Sequence, residues 1–250
     1  LILLFVYIWL NSPGKIEPYR DDKGNVLAGS VAEIVRMEIG GVEQGMIIKG
    51  QSDQNPVLLF LHGGPGNPEY VMAKEANVGL EETFTVCWWE QRGSGMSYAK
   101  DLDPFTLEQM IADTIEVTEY LQEHFGQEKI YIMGHSWGTF LGMHTVAARP
   151  ELYHAYLGIA QISDQMQSEQ ISCTYMMEKG NEKDVEKLAQ FTIKDYSKVT
   201  PQYLSLRSTI LSSLGNGVTH IPQSRMKLLL PIFLAHEYTL SDKYGYAMGS

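Results

Sequence analysis

The sequence predicts an α/β fold, a mostly parallel sheet with flanking helices, continued by a region of helices only. Two short apolar runs, residues 56–61 (PVLLFL) and 83–89 (TFTVCWW), are bounded by polar or Gly-rich stretches, the pattern of strands buried on both faces. Such runs alternate with helical spacing as far as Ile162, and alternation of this kind produces a parallel sheet covered by helices. After Ser163 the alternation stops. At 250 residues and 44% hydrophobic content the chain can bury one core of ordinary size, with room for an inserted subdomain.

Residues 1–10 are all apolar and are followed by Asn11, Ser12, Pro13 and Gly14, a helix-stopping cluster. A spanning helix needs about 20 apolar residues. With no opening methionine, residues 1–12 read as the remnant of an anchor or signal segment, implying membrane association or export; a buried N-terminal strand or helix is the alternative. Val31, Val35, Met37 and Ile39 are mostly spaced by two, and Gly40-Gly41 turns the chain into residues 42–49, a hairpin. Between Thr106 and Phe125 the apolar positions follow helical spacing, with Thr106 and Gln109 as a capping box and Gly126 as the terminating glycine. Residues 129–133 read as a strand, 137–148 as a helix stopped by Arg149-Pro150, and 155–162 as a strand. Residues 181–191 and 203–214 read as amphipathic helices. The expected organisation is a core over 28–162 and a helical lid over 163–250.

The net charge of −11 and the lack of a basic stripe exclude a binder of nucleic-acid backbone. Cys87 and Cys173 are too few for a disulfide scaffold and lack metal-ligand spacing, so neither a metal nor a cofactor is expected.

The chemistry is carried by two glycine-rich turns. Gly134-His135-Ser136-Trp137-Gly138 is a G-x-S-x-G sequence between an expected strand and an expected helix. In that setting Ser136 sits on a sharp turn with Oγ clear of the sheet, the glycines let neighbouring backbone approach, and the helix N-terminus favours developing negative charge. His62-Gly63-Gly64-Pro65-Gly66 directly follows the strand PVLLFL. A loop there can supply one backbone N–H to an oxyanion, and the residue after a nucleophile supplies the other, which makes Gly64 and Trp137 the expected donors. His62 reads as a hydrogen bonder bracing the loop. Neither HGGPG nor Arg92-Gly93-Ser94-Gly95 satisfies a dinucleotide or Walker phosphate-loop pattern.

HGGPG, then WWEQRGSG (residues 88–95), then GHSWGT (residues 134–139), in this order and spacing, resemble the proline iminopeptidase branch of the α/β-hydrolases. The resemblance covers about residues 30–162 and is loose beyond. It implies an α/β-hydrolase fold and a serine hydrolase that releases an N-terminal residue from a small-molecule or short-peptide substrate, the amine being held by acidic groups. Glu90 stands where the family usually has Asp, and His135 where Gly is frequent, so strict prolyl specificity is not implied. Glu169, Glu178 and Glu237 are the candidate amine-binding acids.

Serine chemistry also needs a base and an orienting acid, which this fold supplies after the serine in the order acid, then histidine. Downstream of Ser136 stand His144, His154, His220 and His236. The first two fall where they cannot face Oγ, and the last two lie in the expected lid. Residues 228–235 can be read as a late strand with Glu237 as its acid, but no histidine follows it. The expectation is therefore that the triad acid and base, with the final strands, lie beyond Ser250. The alternatives are an esterase or other acyl hydrolase, and a ligand-binding homologue without turnover.

Overall fold

The computed structural model describes residues 2–195, 198–215 and 225–249, which fall into two compact units: Leu1–Ile162 with Leu229–Ser250, and Ser163–Leu228. The first unit holds a six-stranded sheet of β1 (Val31–Ile39), β2 (Val42–Gly50), β3 (Val57–Leu61), β4 (Thr85–Glu90), β5 (Ile130–His135) and β6 (Tyr153–Ile159). Its order is β1-β2-β4-β3-β5-β6. β1, β2 and β4 pair antiparallel, and β4, β3, β5 and β6 run parallel. The expected hairpin is present: Gly40 and Gly41 both take positive φ (55° and 79°), the conformation a two-residue turn between twisted strands requires.

The interior strands feed both faces. Val57, Leu59 and Leu61 of β3, with Cys87 and Trp89 of β4, join a cluster with Met110, Val117 and Leu121; Leu58, Phe60, Val86 and Trp88 point the other way. The first face is covered by the helix after β4 (Leu107–Phe125) and the helix after β5 (Trp137–Ala148). Thr106 accepts the Gln109 N–H as expected, but the Gln109 side chain goes to Asp113, so the capping box is half formed. Gly126 ends that helix at φ 64°.

Leu229–Ser250 groups with the sheet, not with Ser163–Leu228, so the expected 163–250 helical region does not match the observed division. The cause is burial: Ile232, Ala235, Tyr238 and Tyr246 pack into the second face of the sheet. The late strand expected at 228–235 is also a helix, Arg225–Leu234, followed by another, Leu240–Gly249. The second unit is helical, with Gln165–Lys179, Glu182–Leu188 and Pro201–Ser213 around Met176, Leu188, Tyr203 and Ile210. Residues 2–10 form a helix of nine residues, and no helix among those described is long and apolar enough to cross a membrane, which leaves the expected anchor without support.

Candidate active site

Ser136 occupies the turn from β5 into the following helix with φ 51° and ψ −118°, a region that non-glycine residues rarely adopt. The neighbouring backbone holds it there. The Ser136 N–H donates to the Ile159 carbonyl (2.9 Å), while its carbonyl accepts from the Thr139 N–H (2.9 Å) and the Thr139 hydroxyl (2.6 Å). Both motif glycines are required by close approach. A Cβ at Gly138 would lie 2.0 Å from the Leu61 carbonyl oxygen, and one at Gly134 would lie 2.3 Å from that of Gly138.

The loop after β3 is drawn against this turn, because a Cβ at Gly63 would lie 3.2 Å from Cβ of Ser136. Gly64 follows at φ 114°, open only to glycine. Among the described residues neither the Gly64 N–H nor the Trp137 N–H has a protein acceptor. His62 braces the loop, as expected. It is 1% exposed, donates from Nδ1 to the Gly63 carbonyl (2.9 Å), and accepts at Nε2 from the Gln91 N–H (3.0 Å). Burial lowers its pKa to about 4, so the ring is neutral and committed at both nitrogens.

The other described histidines are also engaged. His124 pairs with Glu33, His135 with Glu69, and His236 with Asn11. His144 packs edge-on to Phe140, and His154 lies against the Tyr131 ring. His220 lies outside the described residues. The three acids expected to hold an amine are placed as follows. Glu169 is buried and bonded to Arg207, Gln165 and Tyr203; Glu237 is buried and bonded to Lys74 (2.7 Å) and Tyr70 (3.1 Å); Glu178 is exposed on its helix. Burial pushes the Glu237 pKa up, yet the bonds from Lys74 and the backbone more than offset it and hold the carboxyl below its usual range. Glu169 and Glu237 each have a cationic partner within the protein, although Oε2 of Glu237 is buried without a hydrogen-bond partner.

Sequence reasoning missed three features. Glu69 accepts from both Gly63 N–H and His135 Nδ1–H, each at 2.8 Å. Glu90 is buried beneath the Gly93–Ser97 turn, where it accepts from the Met96 N–H (2.5 Å) and the Tyr238 hydroxyl. Arg92 forms a buried two-pronged pair with Asp113 (2.7 and 2.9 Å). The WWEQRGSG run thus holds the scaffold together. Its signal was the unusual placing of a carboxylate and a guanidinium directly after the mostly apolar run TFTVCWW. No group of three or more His, Cys, Asp or Glu among the described residues is arranged to hold a metal.

A family profile described as alpha/beta hydrolase fold matches residues 56–224. A probable aminopeptidase, YbaC, of Bacillus subtilis is 34% identical over 225 residues, covering 88% of this chain and 70% of that protein. A proline iminopeptidase of Lactobacillus helveticus is 28% identical over 110 residues, 43% of this chain and 36% of its own length. The crystal structure of a proline iminopeptidase of Mycobacterium smegmatis superposes with a TM-score of 0.57 at 16% identity, covering 86% of this chain and 69% of that one. That last likeness bears on the fold alone, whereas the first two support hydrolase activity. With this profile over most of its length, and with the sheet and turns described above, the chain belongs to the alpha/beta hydrolase family.

Proposed function

We propose that the protein is a serine hydrolase of the aminopeptidase type, cleaving an amide or peptide bond that follows a free N-terminal residue in a small substrate. Ser136 is the nucleophile, and the N–H groups of Gly64 and Trp137 receive the oxyanion. The observation that carries this reading is the backbone of Ser136, held at positive φ against a glycine loop in which the Gly64 N–H, like that of Trp137, has no protein acceptor among the described residues. Strain at one non-glycine residue persists when the surroundings over-determine it, and an unpaired N–H pair beside a serine suits charge that develops during acyl transfer. The kinship with a protein named as a probable aminopeptidase supports the amide-bond assignment. Of the described histidines, His62, His124, His135 and His236 already have polar partners and His144 and His154 pack against aromatic rings, so this reading assigns the base to a group outside the described residues.

A general acyl hydrolase is the second reading, favoured by the pairing of Glu169 with Arg207 and of Glu237 with Lys74, which already sets a cation against each of the two buried acids. A fluorophosphonate probe followed by peptide mapping tests the nucleophile. One adduct is expected, on the peptide containing Ser136, and it should vanish in Ser136→Ala, whose turnover should fall by up to ~10⁶. Labelling that persists in Ser136→Ala overturns the assignment. Comparing a free aminoacyl amide with its N-acetyl counterpart separates the two readings. The aminopeptidase reading requires the blocked substrate to be cleaved poorly, and equal cleavage selects the general hydrolase.

A further inference from the structure

Glu69 lies in the stretch between the HGGPG loop and the short helix Tyr70–Glu75, at the position that caps that helix. Its side chain makes no capping bond there. It reaches instead to two donors from separate parts of the chain, the Gly63 N–H and the His135 Nδ1–H, both at 2.8 Å and both on the same oxygen, Oε1. Gly63 immediately precedes Gly64, and His135 immediately precedes Ser136. The carboxylate is only 13% exposed, so water competes weakly for either bond.

We infer that Glu69 is a positioning residue that clamps the glycine loop onto the serine turn, setting the distance between the two N–H groups proposed to receive the oxyanion. The inference rests on the Ser136 reading. An oxyanion site is effective only when its donors are already aimed before charge develops. The loop side of this site is built from Gly63 and Gly64, the residue type that loses most conformational freedom on ordering. Something must hold that loop against the serine turn, and His62, whose bonds go to the Gly63 carbonyl and to Gln91, does not reach that turn. The single carboxylate oxygen shared by Gly63 and His135 is the link that ties it to the serine turn.

Glu69→Ala and Glu69→Gln test the clamp in the full chain. Glutamine keeps a carbonyl oxygen that can accept both bonds, whereas alanine removes them. Two readouts are needed: amide hydrogen exchange at Gly63, and the rate at which the fluorophosphonate labels Ser136. In Glu69→Ala the Gly63 amide should exchange at least about tenfold faster, and labelling should slow by about tenfold to a hundredfold, below the ~10² to 10³ for removing an oxyanion donor outright. On substrate the loss should fall on kcat, with KM within about threefold. Glu69→Gln should stay within about threefold of wild type on both readouts. In a double-mutant cycle with His135→Ala the two losses should be less than additive, because both variants cut the same link.

A Glu69→Ala protein that labels at the wild-type rate overturns the clamp, as does unchanged Gly63 exchange. A Glu69→Gln protein as impaired as Glu69→Ala, with the defect confined to KM for free-amine substrates, overturns it in favour of direct binding of the substrate ammonium. Wild-type protein that does not label at all overturns the Ser136 reading itself, and Gly63 exchange would still report whether Glu69 holds the loop.

Discussion

β3 and β6 are both apolar strands of the same parallel run, yet one is buried at every residue and the other at one residue only. β3 (VLLFL) has β4 on one side and β5 on the other, with apolar clusters on both faces. β6 (YHAYLGI) pairs with β5, and Leu157 and Ile159 stand 38% and 47% exposed. The candidate site spans this contrast. Its loop side grows from β3, whose surroundings fix it from all directions, while the serine turn is tied by one backbone bond to the last residue of β6. Precision at the site therefore comes from the β3 and β4 side, and the β6 side tolerates change.

The sharpest way to break that asymmetry is to attack the support on the covered side. Asp113 receives two bonds from Arg92 and one each from Gln44 and Gln109, and neither Asp113 nor Arg92 is exposed. Asp113→Ala leaves a buried guanidinium uncompensated, which costs about 3–5 kcal/mol. Urea unfolding should show that loss as a lower midpoint, and a change below about 1 kcal/mol would mean that Arg92 finds another partner.

Glu90 gives the next effect, and its sign follows from burial. Desolvation raises its pKa to about 7 against the opposing bonds from Tyr238 and Met96. With the folded pKa above the unfolded value, the contribution is fully present below about pH 4.5 and is lost as pH rises through about 7. Glu90→Gln can keep both contacts, its carbonyl accepting from Met96 and its amide facing the Tyr238 oxygen, without ionising. Its stability relative to wild type should therefore rise between pH 4.5 and 7 and level off above, by up to about 2–3 kcal/mol. His62, held at about 4, runs the opposite way, contributing above pH 6.5 and losing that contribution as pH falls, but it is common to both proteins and cancels in the difference. A difference flat across this range would place the carboxyl's titration elsewhere.

What the sequence made legible were the features imposed locally. Gly64 and Gly66 answer to positive φ and Gly134 to the carbonyl of Gly138, four residues on, so these parts of the motifs and their physical reason are read together, whereas Gly138 answers to the distant Leu61 carbonyl. The supports were hidden because they join distant residues: Arg92 to Asp113, Glu90 to Tyr238, and Glu69 back to Gly63 and on to His135. No local pattern distinguishes Glu69 and Asp113 from solvated acids, and the placing of Glu90 and Arg92 after an apolar run marks them without naming their partners. The helix Arg225–Leu234 was misread for a different reason: LLLPIFLA is a short apolar run, which periodicity cannot divide between strand and helix, and its Pro231 argued against neither an edge strand nor a bent helix.

The smallest effect is expected on the open side, and it is the one that tests whether β6 is as tolerant as the comparison implies. Among the described residues no strand pairs with its outer edge, and Leu157 and Ile159 add apolar surface beside those unpaired backbone groups. An apolar strand edge of this kind is a template for pairing with another chain, and natural proteins blunt such edges with lysine. Ile159→Lys keeps the backbone carbonyl that receives the Ser136 N–H and replaces a side chain already half in solvent, so unfolding stability should move by no more than about 0.5 kcal/mol. Concentration-dependent association, followed by light scattering, should fall. If Ile159→Lys instead costs several kcal/mol, β6 is covered in solution and the asymmetry between the two strands disappears. If stability holds but association is unchanged, another surface drives it, and the exposed Tyr7, Trp9 and Leu10 of the N-terminal helix become the next residues to replace.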